Sequence, residues 1–244
     1  VIGLIALGVG LGTSLFLPVP QSLKTNFDAG QSLYALGEYE GAIIEYSKIV
    51  RFNSRAVRTD SVRINFESGL ELPVVAAAWY KLGDAYKESA QHEKAIEAYK
   101  KVTVMDIVDE DFRSIVQLRV SETRFKQKEF DEAAKAHTEA IRVARRRERK
   151  FGAYAGLSHH LALRGKHLWY TRRPEEAFGC FLLAREYLER SIRGGYSFSG
   201  QPGFRARLAI LDEHIKFLQE GKIRPEFPPD ILNRFPRPAD VTDR

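Results

Sequence analysis

The stretch "AWYKLGDAYKESAQHEKAIEAYKKV", Ala78 to Val102, carries two different apolar faces within 25 residues. Trp79, Leu82, Gly83 and Tyr86 recur at helical spacing, and after a polar break Ala95, Tyr99 and Val102 do so again. The pattern predicts two amphipathic helices joined by a short turn. Small Gly83 and Ala95 let the two backbones approach, while Trp79, Tyr86 and Tyr99 fill the space around that contact.

Weaker copies line up on the small residue of the second helix. The first has Gly30 and Leu33, the turn "LGEYE", then Ala42, Tyr46 and Ile49, with Asn26 where a Trp is expected. A third has Val120 and Ser121, the turn "KEFDE", then Ala133, His137 and Ala140. A fourth has Leu161, Gly165 and Leu168, the turn "RRPEE", then Ala177, Phe181 and Ala184. The unit resembles the tetratricopeptide repeat, in which a W-x-x-L-G-x-x-Y helix precedes an A-x-x-x-F/Y helix. Ile107 stands where that repeat often has its closing proline.

Successive anchor alanines, Ala42, Ala95, Ala133 and Ala177, lie 53, 38 and 44 residues apart, so the array is irregular. The longest departure, residues 51–73, reads as a loop insertion containing Arg51, Arg55, Arg58 and Arg63, with Pro73 near the first position of the next helix. The fourth unit opens with a long helix from about Lys150 to Thr171, and Gly194 and Gly195 suit the end of its second helix. A further helix, about Gly203 to Glu220, places Phe204, Leu208, Leu211, Ile215 and Leu218 on one stripe, as a capping helix does.

The expected architecture is therefore all-α: a tetratricopeptide-like α-solenoid of about four irregular helix-turn-helix repeats over 21–195, then a capping helix within 196–222. Residues 223–244 hold five prolines and read as an extended tail, lying on the array or on a partner.

The opening "VIGLIALGVGLGTSLFLPVP" has no charged residue. It could be a secretory signal, a core helix or a membrane anchor. Bulky residues and two prolines follow the apolar run instead of a small-x-small cleavage site, which disfavours the signal. Four glycines would each cost about 1 kcal/mol in a water-facing helix, which disfavours the core helix. Seventeen helical residues rise about 25 Å, just short of a hydrocarbon core. Residues 1–20 are thus expected to form one transmembrane helix stopped by Pro18 and Pro20, with Ala6, Gly8, Gly10 and Gly12 as a face where another helix can approach. Only Lys24 carries positive charge shortly after the run, so the expected placement is a single-pass protein of a bacterial inner membrane with its repeats in the periplasm.

No phosphate-binding, zinc-protease or nucleophile-elbow motif is present in the sequence. His159, His160 and His167 offer two same-face histidines and no carboxylate between them, so neither a metal nor a cofactor is expected. His137 replaces a core aromatic, and Cys180 in "FGCFLL" reads as a small buried hydrophobe.

The resemblance implies a binding groove lined by first helices. It selects Phe27 and Tyr34, then Tyr80, Asp84 and Lys87, then Phe125 and Lys126, and finally Lys166, Trp169 and Tyr170. Aromatic rings beside lysines suit an extended peptide, although the same residues could simply pack between helices. The run "RVARRRERK" contributes Arg142, Arg145, Arg146, Arg147, Arg149 and Lys150. It reads as a solvated helix end or as a contact for anionic lipid or an acidic subunit. A formal charge of +6 is too thinly spread, and lacks stacking aromatics beside the arginines, to require nucleic acid.

The expected role is non-enzymatic: a membrane-anchored scaffold, as subunit or assembly factor of a membrane complex, whose partners include other subunits, a transmembrane helix and lipid. The alternative is a receptor or co-chaperone that captures peptides in the groove.

Overall fold

The computed structural model describes residues 19–51, 62–66, 70–106, 108–194 and 202–223. The expected transmembrane segment and its small-residue face at Ala6, Gly8, Gly10 and Gly12, most of the extended tail, Ile107 and Gly195 lie outside the described residues. Within them, no helix is long and apolar enough to cross a membrane.

Nine helices occur among the described residues, with one small β-hairpin. The first pair is α1 (Val19–Ala35) and α2 (Tyr39–Arg51); the second is α3 (Val74–Glu88) and α4 (His92–Thr103). The third is α5 (Glu110–Lys126) and α6 (Phe130–Val143); the fourth is α7 (Arg147–Tyr170) and α8 (Pro174–Arg193), followed by α9 (Pro202–Glu220). The four expected helix pairs and the terminal helix are all there. Helices α1 to α4 form one compact unit and α5 to α9 a second, each with its own core.

One contact recurs in three of the four pairs. A Cβ placed on Gly30 would lie 2.6 Å from the Tyr46 ring, one on Gly83 2.5 Å from Tyr99, and one on Gly165 2.8 Å from Phe181. In these three pairs the first helix therefore presents bare backbone to an aromatic ring sixteen residues later. In the third pair the same positions hold Ser121 and His137, joined by a hydrogen bond of 2.5 Å between Ser121 Oγ and Nδ1 of the ring. Ala42, Ala95, Ala133 and Ala177 sit beside these contacts and are essentially inaccessible.

The turns inside the pairs are equally regular. Gly37, Ala90, Lys128 and Arg172 all have φ between 60° and 79°. The residue after each donates its N–H back across the helix end: Glu38 to Leu33, Gln91 to Tyr86, Glu129 to Arg124 and Arg173 to Leu168, at 2.8–3.0 Å. This is the Schellman stop, which satisfies carbonyls that a helix end would leave bare. Only the first turn uses glycine; the others hold side chains in a left-handed conformation that costs a non-glycine residue about 1 kcal/mol or more.

The second unit adds a polar tie. Ser114 donates to the Ala140 carbonyl at 2.8 Å, and at the equivalent place in the next pair Ser158 donates to Ala184 at 2.6 Å. Both hydroxyls are buried, so each needs this partner.

One sequence expectation changes. Residues 51–73 are not only loop: β1 (Arg63–Phe66) and β2 (Leu70–Pro73) pair antiparallel with Ile64 opposite Leu72, and Ile64, Phe66 and Leu72 are buried. Polar and apolar residues alternate along both strands, Arg63-Ile64-Asn65-Phe66 and Leu70-Glu71-Leu72, which gives the hairpin one buried face. Pro73 ends β2 and stands at the N-cap of α3, next to the first helical position Val74, as the sequence places it. Pro20 lies in the first turn of α1, where the N–H it lacks has no partner to lose, and the helix it was expected to end lies outside the described residues.

The interlock predicts that Gly83→Ala is destabilising by about 1–3 kcal/mol through overpacking against Tyr99, despite alanine's better helix propensity. Gly203→Ala, where a Cβ meets nothing within 4 Å, should not destabilise. At the turns, Ala90→Gly and Lys128→Gly should each raise stability, by up to about 1 kcal/mol. Urea denaturation of the four variants checks both expectations.

Candidate functional site

The ten groove residues expected from the resemblance fall into two sets. In the first unit Phe27 and Tyr80 are buried, as are Asp84 and Lys87. Phe27 lies 5.7 Å from Tyr46, ring centre to ring centre, and Tyr80 lies 5.9 Å from Tyr99. Tyr99 donates its hydroxyl to Asp84 Oδ1 at 2.7 Å. The hairpin contributes Phe66, set edge-on to Tyr80 at 5.4 Å, and the Lys81 ammonium lies within 6 Å of the rings of Tyr34, Phe66 and Tyr80. Cation–π attraction compensates that lysine for lost water. Phe27 and Tyr80 are thus core residues instead of exposed peptide anchors, because the inserted hairpin and the neighbouring helices cover them.

Phe125, in the second unit, also packs inward, stacking on His160 at 4.3 Å and meeting Phe130 edge-on, while Lys126 next to it is exposed.

Lys166, Trp169 and Tyr170 line an open cleft, and α9 supplies its other wall. Together with Phe181, Glu213, His214, Phe217 and Leu218 they line a cleft of about 440 Å³. Phe181 and Leu218 form its buried floor. Trp169, Tyr170 and Phe217 keep 38%, 82% and 61% of their surface in solvent, a high exposure for three aromatic residues around one cavity. Trp169 and Phe217 meet edge-on at 5.6 Å across it. Helix α9 is held by the Arg185–Asp212 ion pair at 2.5 Å and by Arg207 donating to the Ala155 carbonyl at 3.3 Å. The α9 contribution was not legible beforehand, since Phe217 falls outside the apolar stripe that defines the cap.

Arg142, Arg145, Arg146 and Arg147 of the basic run are exposed, and the first three of them are ion-paired. Helix α6 ends at Val143 and α7 begins at Arg147, so the run spans the end of α6, the short link and the first turn of α7. Arg142 pairs with Glu139 at 2.6 Å, Arg145 with Glu110, and Arg146 with Asp111 at 3.0 Å. Asp111 Oδ1 also accepts the backbone N–H groups of Arg145 and Arg146, both at 2.9 Å. Arg147 lies over the Phe151 ring. Arg149 and Lys150 follow on the first turn of α7.

His137, expected in the core, is there. Ser121 donates to the Ala133 carbonyl at 2.7 Å, so it receives its second bond from His137 Nδ1–H. That leaves His137 Nε2 buried without a partner, facing Gly156. His160 packs edge-on against it at 4.8 Å. Burial, aided by His160, holds the His137 pKa well below its usual range. Burial and then the His159 charge push His160 down to about 4, opposed by Glu122. No group of three or more potential ligands that could hold a metal occurs among the described residues.

These histidines set a pH dependence. The unfolded chain binds their protons near 6.5, the fold only at much lower pH. Below 6.5 the unfolded state therefore takes up more protons, and stability falls with pH until the folded value, about 4 for His160, is reached. The expected slope is up to about 1.4 kcal/mol per pH unit for each histidine. Urea midpoints between pH 7.5 and 4.5 should drop, and His160→Gln should flatten the profile; a flat profile in the parent chain would contradict this.

Among known proteins, the tetratricopeptide repeat family matches residues 76–106. In structure the chain is similar to the nearly identical TPR-like repeats assigned to a kinesin light chain of Podosopora anserina. It matches that crystal structure with a TM-score of 0.57 and a single-substitution variant of the same repeats with 0.58, each at 16% identity over 84% of this chain and 92% of that one. MamA also aligns, with a TM-score of 0.43 at 17% identity over 79% of this chain and 95% of that one. No curated protein matches the sequence. The fold is therefore that of TPR-like helical repeats, which generally serve protein–protein interaction.

Proposed function

We propose that this chain is a scaffold that holds other proteins at a membrane, and that its partner-binding site is the cleft between α7 and α9. The observation that carries the reading is the cluster of Trp169, Tyr170 and Phe217, three well-exposed aromatic residues around one cavity in an interaction fold. Large aromatic side chains left in water are unfavourable for a lone domain, and they are the residues that anchor interfaces. Lys166 and Glu213 on the rim supply one charge of each sign for orienting a bound segment.

The membrane part of the reading rests on the sequence alone. The apolar run 1–17 with Gly8 and Gly12 would tether the repeats and dock them against another transmembrane helix. As a subunit of a bacterial inner-membrane complex with periplasmic repeats, the chain would then have two attachment points, one in lipid and one at the cleft. Capture of an extended peptide segment, the receptor-like alternative, is favoured specifically by the cleft's size, which fits a few residues and not a helix–helix interface.

Recovery from mild detergent should return stoichiometric partner chains. Trp169→Ala should weaken their retention by roughly 30-fold, the effect of losing an interface anchor worth about 2 kcal/mol. Tyr80→Phe, which keeps the buried ring, should leave retention unchanged. Undiminished retention in Trp169→Ala would overturn the cleft as the site, and recovery of the chain alone would overturn the scaffold.

A further inference from the structure

Aromatic rings elsewhere in the chain are covered by its own cations. Lys94 lies over Tyr86, Arg147 over Phe151, Arg190 over Tyr154 and Arg207 over Phe204, each 5.2–5.7 Å from the ring centre. The rings around the cleft between α7 and α9 are different. Among the described residues no cation lies over Trp169, Tyr170 or Phe217, although Lys166 stands one turn before Tyr170 on the same helix.

Trp169 and Phe217 meet at 79° with their centres 5.6 Å apart, so the two ring faces form a corner. A cation is attracted to a ring face within about 6 Å of its centre, and one group placed in this corner meets that condition for both rings. Glu213 lies one turn before Phe217 on α9 and lines the same cleft. It is exposed and makes no ion pair or hydrogen bond among the described residues. Two bare ring faces and an unpaired carboxylate thus stand together on one side of the cleft, and both favour positive charge.

We propose that this corner is a subsite for a guanidinium, filled by an arginine side chain of an extended partner segment, with Glu213 as its counter-ion. The inference rests on the cleft being the partner-binding site and says which side chain it selects. Arginine fits better than other cations for two reasons. Its planar group stacks on an aromatic face, which a compact, strongly hydrated ammonium does less well. Its N–H groups can bond a carboxylate in a parallel pair, which a quaternary ammonium cannot. Lys166 is exposed on the opposite wall, where its charge is screened by water and its ammonium can bond a carbonyl oxygen of the segment.

The indole N–H resonance of Trp169 reads the subsite, and that of Trp79, the other tryptophan, serves as the reference. In the full chain held in mild detergent, a capped Ala-Gly-Arg-Gly-Ala peptide should shift the Trp169 resonance with a Kd in the millimolar range and leave Trp79 unmoved. The same peptide with citrulline, which keeps the shape and loses the charge, should bind about tenfold more weakly, and with lysine about threefold more weakly. Glu213→Gln, an exposed position, should weaken the arginine peptide about fivefold and leave the citrulline peptide unchanged.

Equal affinity for arginine and citrulline, an unaltered arginine affinity in Glu213→Gln, or no shift of Trp169 with any of the peptides would overturn the charged subsite. Lysine bound as tightly as arginine would overturn the choice of a guanidinium. If one of these results comes with partner retention that Trp169→Ala still weakens, the subsite fails and the cleft stands as the binding site. If Trp169→Ala also leaves retention undiminished, both fail.

Discussion

Everything in this fold hangs on a backbone patch without a side chain meeting an aromatic ring sixteen residues later. Gly30 and Tyr46, Gly83 and Tyr99, and Gly165 and Phe181 make this contact, and a single Cβ on the glycine would intrude to within 3 Å of the ring. Interiors are packed too tightly to absorb such an intrusion without cost. The contact fixes how close the two helices of a pair come. The left-handed turn seven residues after the glycine then fixes the direction in which the second helix returns. Each helix pair is in this sense specified locally, which is what allows insertions such as the β-hairpin between two pairs.

The third pair replaces a steric interlock with a chemical one. Ser121 and His137 keep the positions but hold each other by a hydrogen bond, and the histidine packs against α7 where Gly156 makes room. The exchange introduces one buried imidazole, His137, which packs edge-on against the half-buried His160. A shape-complementary ring has no pH dependence; this pair acquires one as a by-product of its packing.

Much of the fold was legible because repeated spacing is a one-dimensional signal. The four anchor alanines alone located every helix pair, and the stripe Phe204, Leu208, Leu211, Ile215, Leu218 located the cap. The turns were less legible, since Ala90, Lys128 and Arg172 are not residues that announce a left-handed conformation. The hairpin was read as loop because its two strands are four residues each and lie next to conspicuous arginines. The groove residues were only half legible. Position within a repeat places Tyr80 and Trp169 alike on a first helix, but whether such a ring is covered depends on what lies over it: the hairpin residue Phe66 covers Tyr80, whereas Trp169 meets Phe217 across an open cleft. Similarly, the run of arginines does not reveal its partners: Arg142 pairs with Glu139, and Arg145 and Arg146 pair with Glu110 and Asp111 at the start of α5.

If the small residue and its ring form one interchangeable unit, a double-mutant cycle tests it most directly. Gly83→Ser alone should drive a hydroxymethyl group into Tyr99, and Tyr99→His alone should leave space and remove the bond to Asp84. Combined, they import the Ser–His pair of the third repeat into the second. The prediction is that the double variant is at least about 1 kcal/mol more stable than the sum of the single losses allows. Losses that add to within about 0.5 kcal/mol would contradict the interchangeable unit.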